Sequence, residues 1–178
     1  MRRPVLSALF ILLLAALVTS PSQAQTTTTN GTVQELGAFT YYNFRSSDGT
    51  TVSGTAQQLG PFTFYNLRSS DGTTTSGSSN ELGPFTNYNL RSTGTQAGQF
   101  TSSTTTGTSQ ELGPFTHYNF RTSGTEAGRF ESKTTTGTSQ ELGPFTYFNF
   151  SSSDGSTTSG NSQTLGTIDY WELTQIEP

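Results

Sequence analysis

The chain has 178 residues, of which 29% are hydrophobic and only 11% charged, with a formal net charge of −4, one histidine and no cysteine. No disulfide framework and no thiol chemistry can be built from it. The acidic balance also argues against a nucleic-acid partner, which needs a basic face.

The first 25 residues read MRRPVLSALFILLLAALVTSPSQAQ. Arg2 and Arg3 precede an apolar run from Val5 to Val18, and Ser22-Gln23-Ala24 places small residues at the −3 and −1 positions of a cleavage site. This is the pattern of a secretory signal peptide over residues 1–24. The run is shorter than the roughly 20 residues a spanning helix needs. The expected mature chain is residues 25–178, a single domain that is secreted or held at the cell surface, with no membrane span after cleavage. Removing Arg2 and Arg3 leaves six basic against twelve acidic residues, a formal charge of −6.

The mature chain repeats one phrase. QELGAFTYYNF begins at Gln34, and related copies begin at Gln57, Asn80, Gln110, Gln140 and Gln163. The spacings are 23, 23, 30, 30 and 23 residues. A fixed period in this range signals units that bury their apolar face only by stacking on their neighbours.

Each unit reads as two strands. The first is Thr/Ser-rich and ends at Leu-Gly, as from Thr104 to Leu112. The second is aromatic, as from Phe115 to Arg121. Between them Gly-Pro marks a tight turn, as at Gly60-Pro61 and Gly113-Pro114. Ser-Ser-Asp-Gly, as at Ser46–Gly49, reads as a hairpin connection at the other end. Two units are longer by seven residues, and their additions read as extended hairpins with tips near Gly98 and Gly128. Neighbouring extensions should form one raised ledge, with Phe100 and Phe130 partly buried in it.

Side chains alternate between the two faces of a strand. The columns Tyr42, Tyr65, Tyr88, Tyr118, Phe148, Trp171 and Phe44, Leu67, Leu90, Phe120, Phe150, Leu173 are always aromatic or apolar, so their shared face is expected to be packed. The column Tyr41, Phe64, Asn87, His117, Tyr147, Tyr170 tolerates Asn and His, so it should meet solvent. The repeated Leu and Phe that flank Gly-Pro should pair across the turn.

The fold class is therefore all-β: an elongated β-repeat protein of six two-stranded units. Both an antiparallel hairpin meander and a parallel β-solenoid accommodate the period, and the meander is the expected architecture, with the solenoid as the alternative. Stacked coils would place the rows Arg45, Arg68, Arg91, Arg121 and Glu81, Glu111, Glu141 about 4.8 Å apart, whereas a meander doubles that distance and relieves the repulsion. Asn columns, by contrast, suit stacked coils. The phrase Gln-x-Leu-Gly-x-Phe-Thr-x-Tyr-Asn resembles that of small, uncharacterised exported bacterial proteins built of short β-repeats, a resemblance that implies no activity. It is more loosely similar to curli-type subunits, which lack the Gly-Pro bend.

No residue set points to catalysis. His117 stands where other units carry Tyr, Phe or Asn, and each Asp-Gly pair supplies a single carboxylate, too few for a calcium site. The expectation is a non-enzyme without cofactor or metal: a structural or adhesive extracellular protein, fibre- or matrix-forming by self-assembly. The alternative is a carbohydrate-binding module using exposed aromatic and Asn side chains, with surface polysaccharide as partner. The candidate interaction residues are Gln96, Gln99, Glu126, Arg129, Glu131 and Lys133 on the long hairpins, and Tyr41, Phe64, His117 and Tyr147 on the solvent face.

Overall fold

The computed structural model describes residues 26–96, 99–126 and 129–178. It contains β1 Thr26–Leu36, β2 Phe39–Ser46, β3 Thr51–Leu59, β4 Phe62–Ser69, β5 Thr74–Leu82, β6 Phe85–Gln96, β7 Gln99–Leu112, β8 Phe115–Glu126, β9 Arg129–Leu142, β10 Phe145–Ser152, β11 Thr157–Leu165 and β12 Ile168–Ile176. Each strand pairs antiparallel with its neighbours in sequence, so the meander is the architecture and the solenoid is not. The expected open, elongated stack is corrected. The terminal strands pair with one another, from Thr26 opposite Ile176 to Gln34 opposite Ile168, and the sheet closes into a barrel. The leader at 1–24 and the hairpin tips at Gly98 and Gly128 lie outside the described residues.

Closure follows from the register. The residue two strands across from Tyr42, by way of Gly54, is Leu67, yet the repeat equivalent of Tyr42 is Tyr65. The same offset of two residues recurs from Tyr65 to Leu90, Tyr88 to Phe120, Tyr118 to Phe150 and Phe148 to Leu173. It recurs once more across the seam, from Trp171 through Gly31 to Phe44. Six steps of two residues give a shear of twelve for twelve strands, which tilts the strands by about 35°. Because offset and shear agree, equivalent residues of the six units lie on level rings around the barrel axis, about 12 Å apart.

The two barrel ends are built differently. At one, Leu36 pairs with Phe39 across a two-residue turn whose Gly37 has φ 65°. Gly with positive φ followed by a residue of Pro-like φ is the type II′ hairpin. The carbonyl of the second turn residue accepts the backbone N–H of the next unit: Ala38 from Gln58, Pro61 from Glu81, Pro84 from Glu111, Pro114 from Glu141, Pro144 from Thr164, and, closing the ring, Thr167 from Glu35 at 3.1 Å. At the other end lie the start of β1 at Thr26, the end of β12 at Ile176, three Ser-Ser-Asp-Gly turns and the two long hairpins. Asp48 Oδ1 accepts the Thr50 N–H at 2.8 Å, and Asp71 and Asp154 do the same for Thr73 and Ser156. These aspartates are turn residues.

The interior is filled. Both apolar columns are at most 4% exposed, as the alternation predicts. Large side chains sit on alternate strands, and the strands between offer small ones. Phe44 lies over Gly31, Leu67 over Gly54, Leu90 over Gly77, Phe120 over Gly107, Phe150 over Gly137 and Leu173 over Gly160, each directly opposite its glycine. A Cβ at Gly107 would stand 2.3 Å from the Phe120 ring and 2.4 Å from the Asn119 carbonyl oxygen. One ring further, Tyr65, Tyr88 and Tyr118 hydroxyls bond Ser79, Ser109 and Ser139 of the next unit at 3.0, 3.2 and 3.0 Å.

The long hairpins do stand side by side, with β7 pairing β8 as far as Ser102 opposite Thr125. Burial of their phenylalanines is corrected: Phe100 is 66% and Phe130 70% exposed, because both point to the outer face, where no described residue covers them.

Two measurements check this packing. Phe120→Ala should cost roughly 3–5 kcal/mol in a urea melt, Gly107→Ala about 1–3 kcal/mol through overpacking, and Phe130→Ala less than about 0.5 kcal/mol. In hydrogen exchange, amides of β1 and β12 should be protected like those of β2 to β11. Fast exchange along either seam strand would show an open sheet.

Candidate functional site: the outer wall and its apolar collar

The sequence-derived candidates fall on both ends of the barrel. Gln96 pairs with Gln99, and Glu126 with Arg129, at the ends of the long hairpins. Lys133, below them, is committed to structure: its Nζ lies 2.7 Å from Asp154 Oδ2 and donates to Ser156 Oγ at 3.1 Å, tying β9 to the turn after β10. Burial works to raise the pKa of Asp154, but hydrogen bonds from Lys133 and Ser156 outweigh it and the net shift is downward. Glu131 is exposed, opposite Gly124.

Tyr41, Phe64, His117 and Tyr147 sit near the Gly-Pro end, all exposed on the outer face as the alternation predicts. Closure sorts them. Tyr147 on β10, Tyr170 on β12, Tyr41 on β2 and Phe64 on β4 become consecutive across the seam, while Asn87 on β6 and His117 on β8 occupy the remaining sector. Residues far apart in sequence thus form one aromatic arc. Gln34, Gln57, Gln140 and Gln163 stand directly opposite its members.

One level nearer the rim lies a feature the sequence reading did not single out. Leu36, Leu59, Leu82, Leu112, Leu142 and Leu165, with Phe39, Phe62, Phe85, Phe115 and Phe145, are 37–58% exposed. Ile168, in the last Phe position, is less so. On level rings these residues encircle the barrel as a collar. Phe39 has the parity of Tyr41, so the alternation that put Tyr41 outside also put Phe39 outside. Attention to the cross-turn pairing hid this. The collar exposes on the order of 1,000 Å² of apolar surface, beyond the few hundred usual for a monomer. Beyond the collar and the aromatic arc the outer wall is mostly Asn, Gln, Thr and Ser, with Arg45, Arg68, Arg91, Arg121 and Glu172 further up and Phe100, Phe130 and Ile176 at the far end.

Inside the same rim, opposite the buried Thr40, Thr86 and Thr116, the inner face carries Glu35, Glu81 and Glu111, joined by Glu141 and Asp169. They ring the barrel mouth above the tyrosine hydroxyls. Desolvation first, then the neighbouring Tyr65 phenol, Glu35 at the mouth and Tyr88, raise the pKa of Tyr42. Burial pushes Tyr65 and Tyr118 up to about 12, against the hydrogen bonds from their serines, and raises Tyr88 as well. Among the described residues no three His, Asp or Glu side chains are grouped to hold a metal ion.

These four tyrosines are held neutral in the fold and ionise near pH 10 once unfolded. Their contribution to stability is complete below pH 10 and is lost as pH rises, through about 12 for Tyr65 and Tyr118. The melting temperature should therefore fall steadily above pH 10, with a late rise in phenolate absorbance that coincides with unfolding. A flat melting temperature to pH 12 would contradict the burial. Searches of protein-family models, of curated proteins and of solved structures return no match for this chain.

Proposed function

We propose that the protein is an adhesive module of the cell exterior, without catalytic activity, that holds to apolar or weakly polar surfaces by the outer wall of its barrel. The observation that carries this is the collar: eleven half-exposed Leu and Phe side chains on one level ring, beside a wall that is mostly Asn, Gln and Thr. Growth into fibres by strand addition fits less well, because β1 and β12 already pair with each other and leave no edge. The export expected from the leader is consistent with an adhesive role.

A second reading has its own observation. The arc Tyr147, Tyr170, Tyr41 and Phe64, each opposite a Gln, supplies the stacking faces and amides that sugar binding uses. Its weakness is curvature: successive members face directions about 60° apart on a six-unit ring.

Adsorption separates the two. On octyl-coated beads the wild-type chain should be retained. Leu59→Thr with Leu82→Thr and Leu112→Thr should weaken retention by about tenfold or more. Tyr41→Ser with Tyr170→Ser should change it little. Retention on polysaccharide columns that is lost only with the tyrosine pair would favour the carbohydrate module. Retention on octyl beads unaffected by the leucine variant would overturn the adhesive reading.

A further inference from the structure

We propose that the surface taken by the collar is a lipid leaflet, into which the Gly-Pro end of the barrel dips without crossing. This rests on the adhesive reading above and names its target. The first argument is distribution. A protein partner covers one sector of a barrel, but the collar is present in all six units and so calls for a medium that surrounds the rim on every side. Lipid is such a medium.

The outer face of the rim is built to leave water at low cost, while the five mouth carboxylates inside it limit how far the end can enter. No outer-face residue of the collar or its turn tips is charged: the second turn residue is Ala38, Pro61, Pro84, Pro114, Pro144 or Thr167. Proline removes a backbone donor that a turn would otherwise expose, and the carbonyl of each of these residues is already bonded to the next unit. Unpaired backbone groups are what chiefly keep loops out of hydrocarbon.

Height sets the depth. The collar and the aromatic arc above it make a band about 10 Å tall, against the roughly 25 Å of a spanning barrel. That is the depth to which interfacial elements enter the boundary between headgroups and acyl chains. Tyr41, Tyr147 and Tyr170 then sit at headgroup level, where an apolar ring with a polar tip is favoured. Above them the Asn/Gln/Thr wall stays in water.

A second copy of the chain fits poorly. Rim-to-rim docking would set Glu35, Glu81, Glu111, Glu141 and Asp169 against the same five groups. Side-by-side docking would leave most of the collar bare. The same carboxylates select among lipids: a neutral, zwitterionic surface is preferred over an anionic one.

The test uses the chain as exported, with vesicles of phosphatidylcholine and of phosphatidylcholine mixed with phosphatidylglycerol. The chain should float with the neutral vesicles, hold in about 0.5 M salt, and bind the anionic mixture more weakly at low salt. The triple Leu59→Thr, Leu82→Thr, Leu112→Thr variant should lose about tenfold or more in partitioning, while unchanged emission from buried Trp171 certifies its fold. Since the chain has no cysteine, a polarity-sensitive dye at Ala38→Cys marks the rim and one at Ser151→Cys marks the other end, where Thr26 also lies. Vesicles should shift the first dye and not the second. No flotation of wild type, a shift at Ser151→Cys instead, or a collar-dependent dimer in sedimentation would each overturn the lipid assignment. Collar-dependent retention on octyl beads would then leave the adhesive reading standing, and its absence would remove both.

Discussion

The rest of the structure depends on a large side chain lying flat over a glycine. A barrel of twelve strands has a backbone radius of about 11 Å, more than a simple inward layer of aliphatic side chains fills. Here each inward Phe or Leu lies across the bare backbone of Gly31, Gly54, Gly77, Gly107, Gly137 or Gly160 on the paired strand. Glycine normally weakens a strand, since it has no side chain to pack and much freedom to lose. In this barrel the neighbouring ring supplies the missing packing. The alternation of large and small strands lets neighbouring strands interlock and makes each unit incomplete without the next.

That interdependence reaches into the polar layers. The Tyr65, Tyr88 and Tyr118 hydroxyls each find a serine in the following unit. Ala56 stands in the place of these serines in the second unit, and Phe148 and Trp171 complete the ring without a phenol. The Trp171 Nε1 is buried without a hydrogen-bond partner among the described residues, an irregularity in the most divergent unit. Below this layer, Thr29, Thr75, Thr105 and Thr135 hydroxyls meet Ser or Thr hydroxyls across their hairpins at 2.6–2.8 Å. The core is thus a stack of rings, polar at both mouths and aromatic between.

Ring geometry also turns a repeated residue into a continuous surface. In an open stack the Leu and Phe at the turns would make a stripe along one side. With a shear matching the repeat offset they make a girdle, and a girdle meets its surroundings differently from a patch. The divided ends follow from turn chemistry. Two-residue Gly-Pro turns keep one rim low and uniform, with an uncharged outer face, whereas the longer Ser-Ser-Asp-Gly turns and the 30-residue units leave the other rim uneven.

Much was legible in the chain itself, because it depends on neighbours in sequence. Period-two alternation identified the buried columns through Phe120 and the exposed ones through Tyr41. Gly-Pro marked the tight turns, and Asp-Gly the wider ones. The wrongly buried Phe100 and Phe130 came from assuming that a large apolar residue seeks cover, although their parity already placed them outside. Closure could not be read this way. Whether β1 meets β12 depends on a shear summed over every strand pair, and no single stretch encodes a sum. The aromatic arc across the seam, the encircling collar and the acidic mouth are products of that sum. Sequence by itself determined which side chains face in, which face out and where the chain turns, since strand pleat and backbone stereochemistry are local. Only the tertiary structure decided which outward residues become neighbours, because closing the sheet sets distances between residues more than a hundred positions apart.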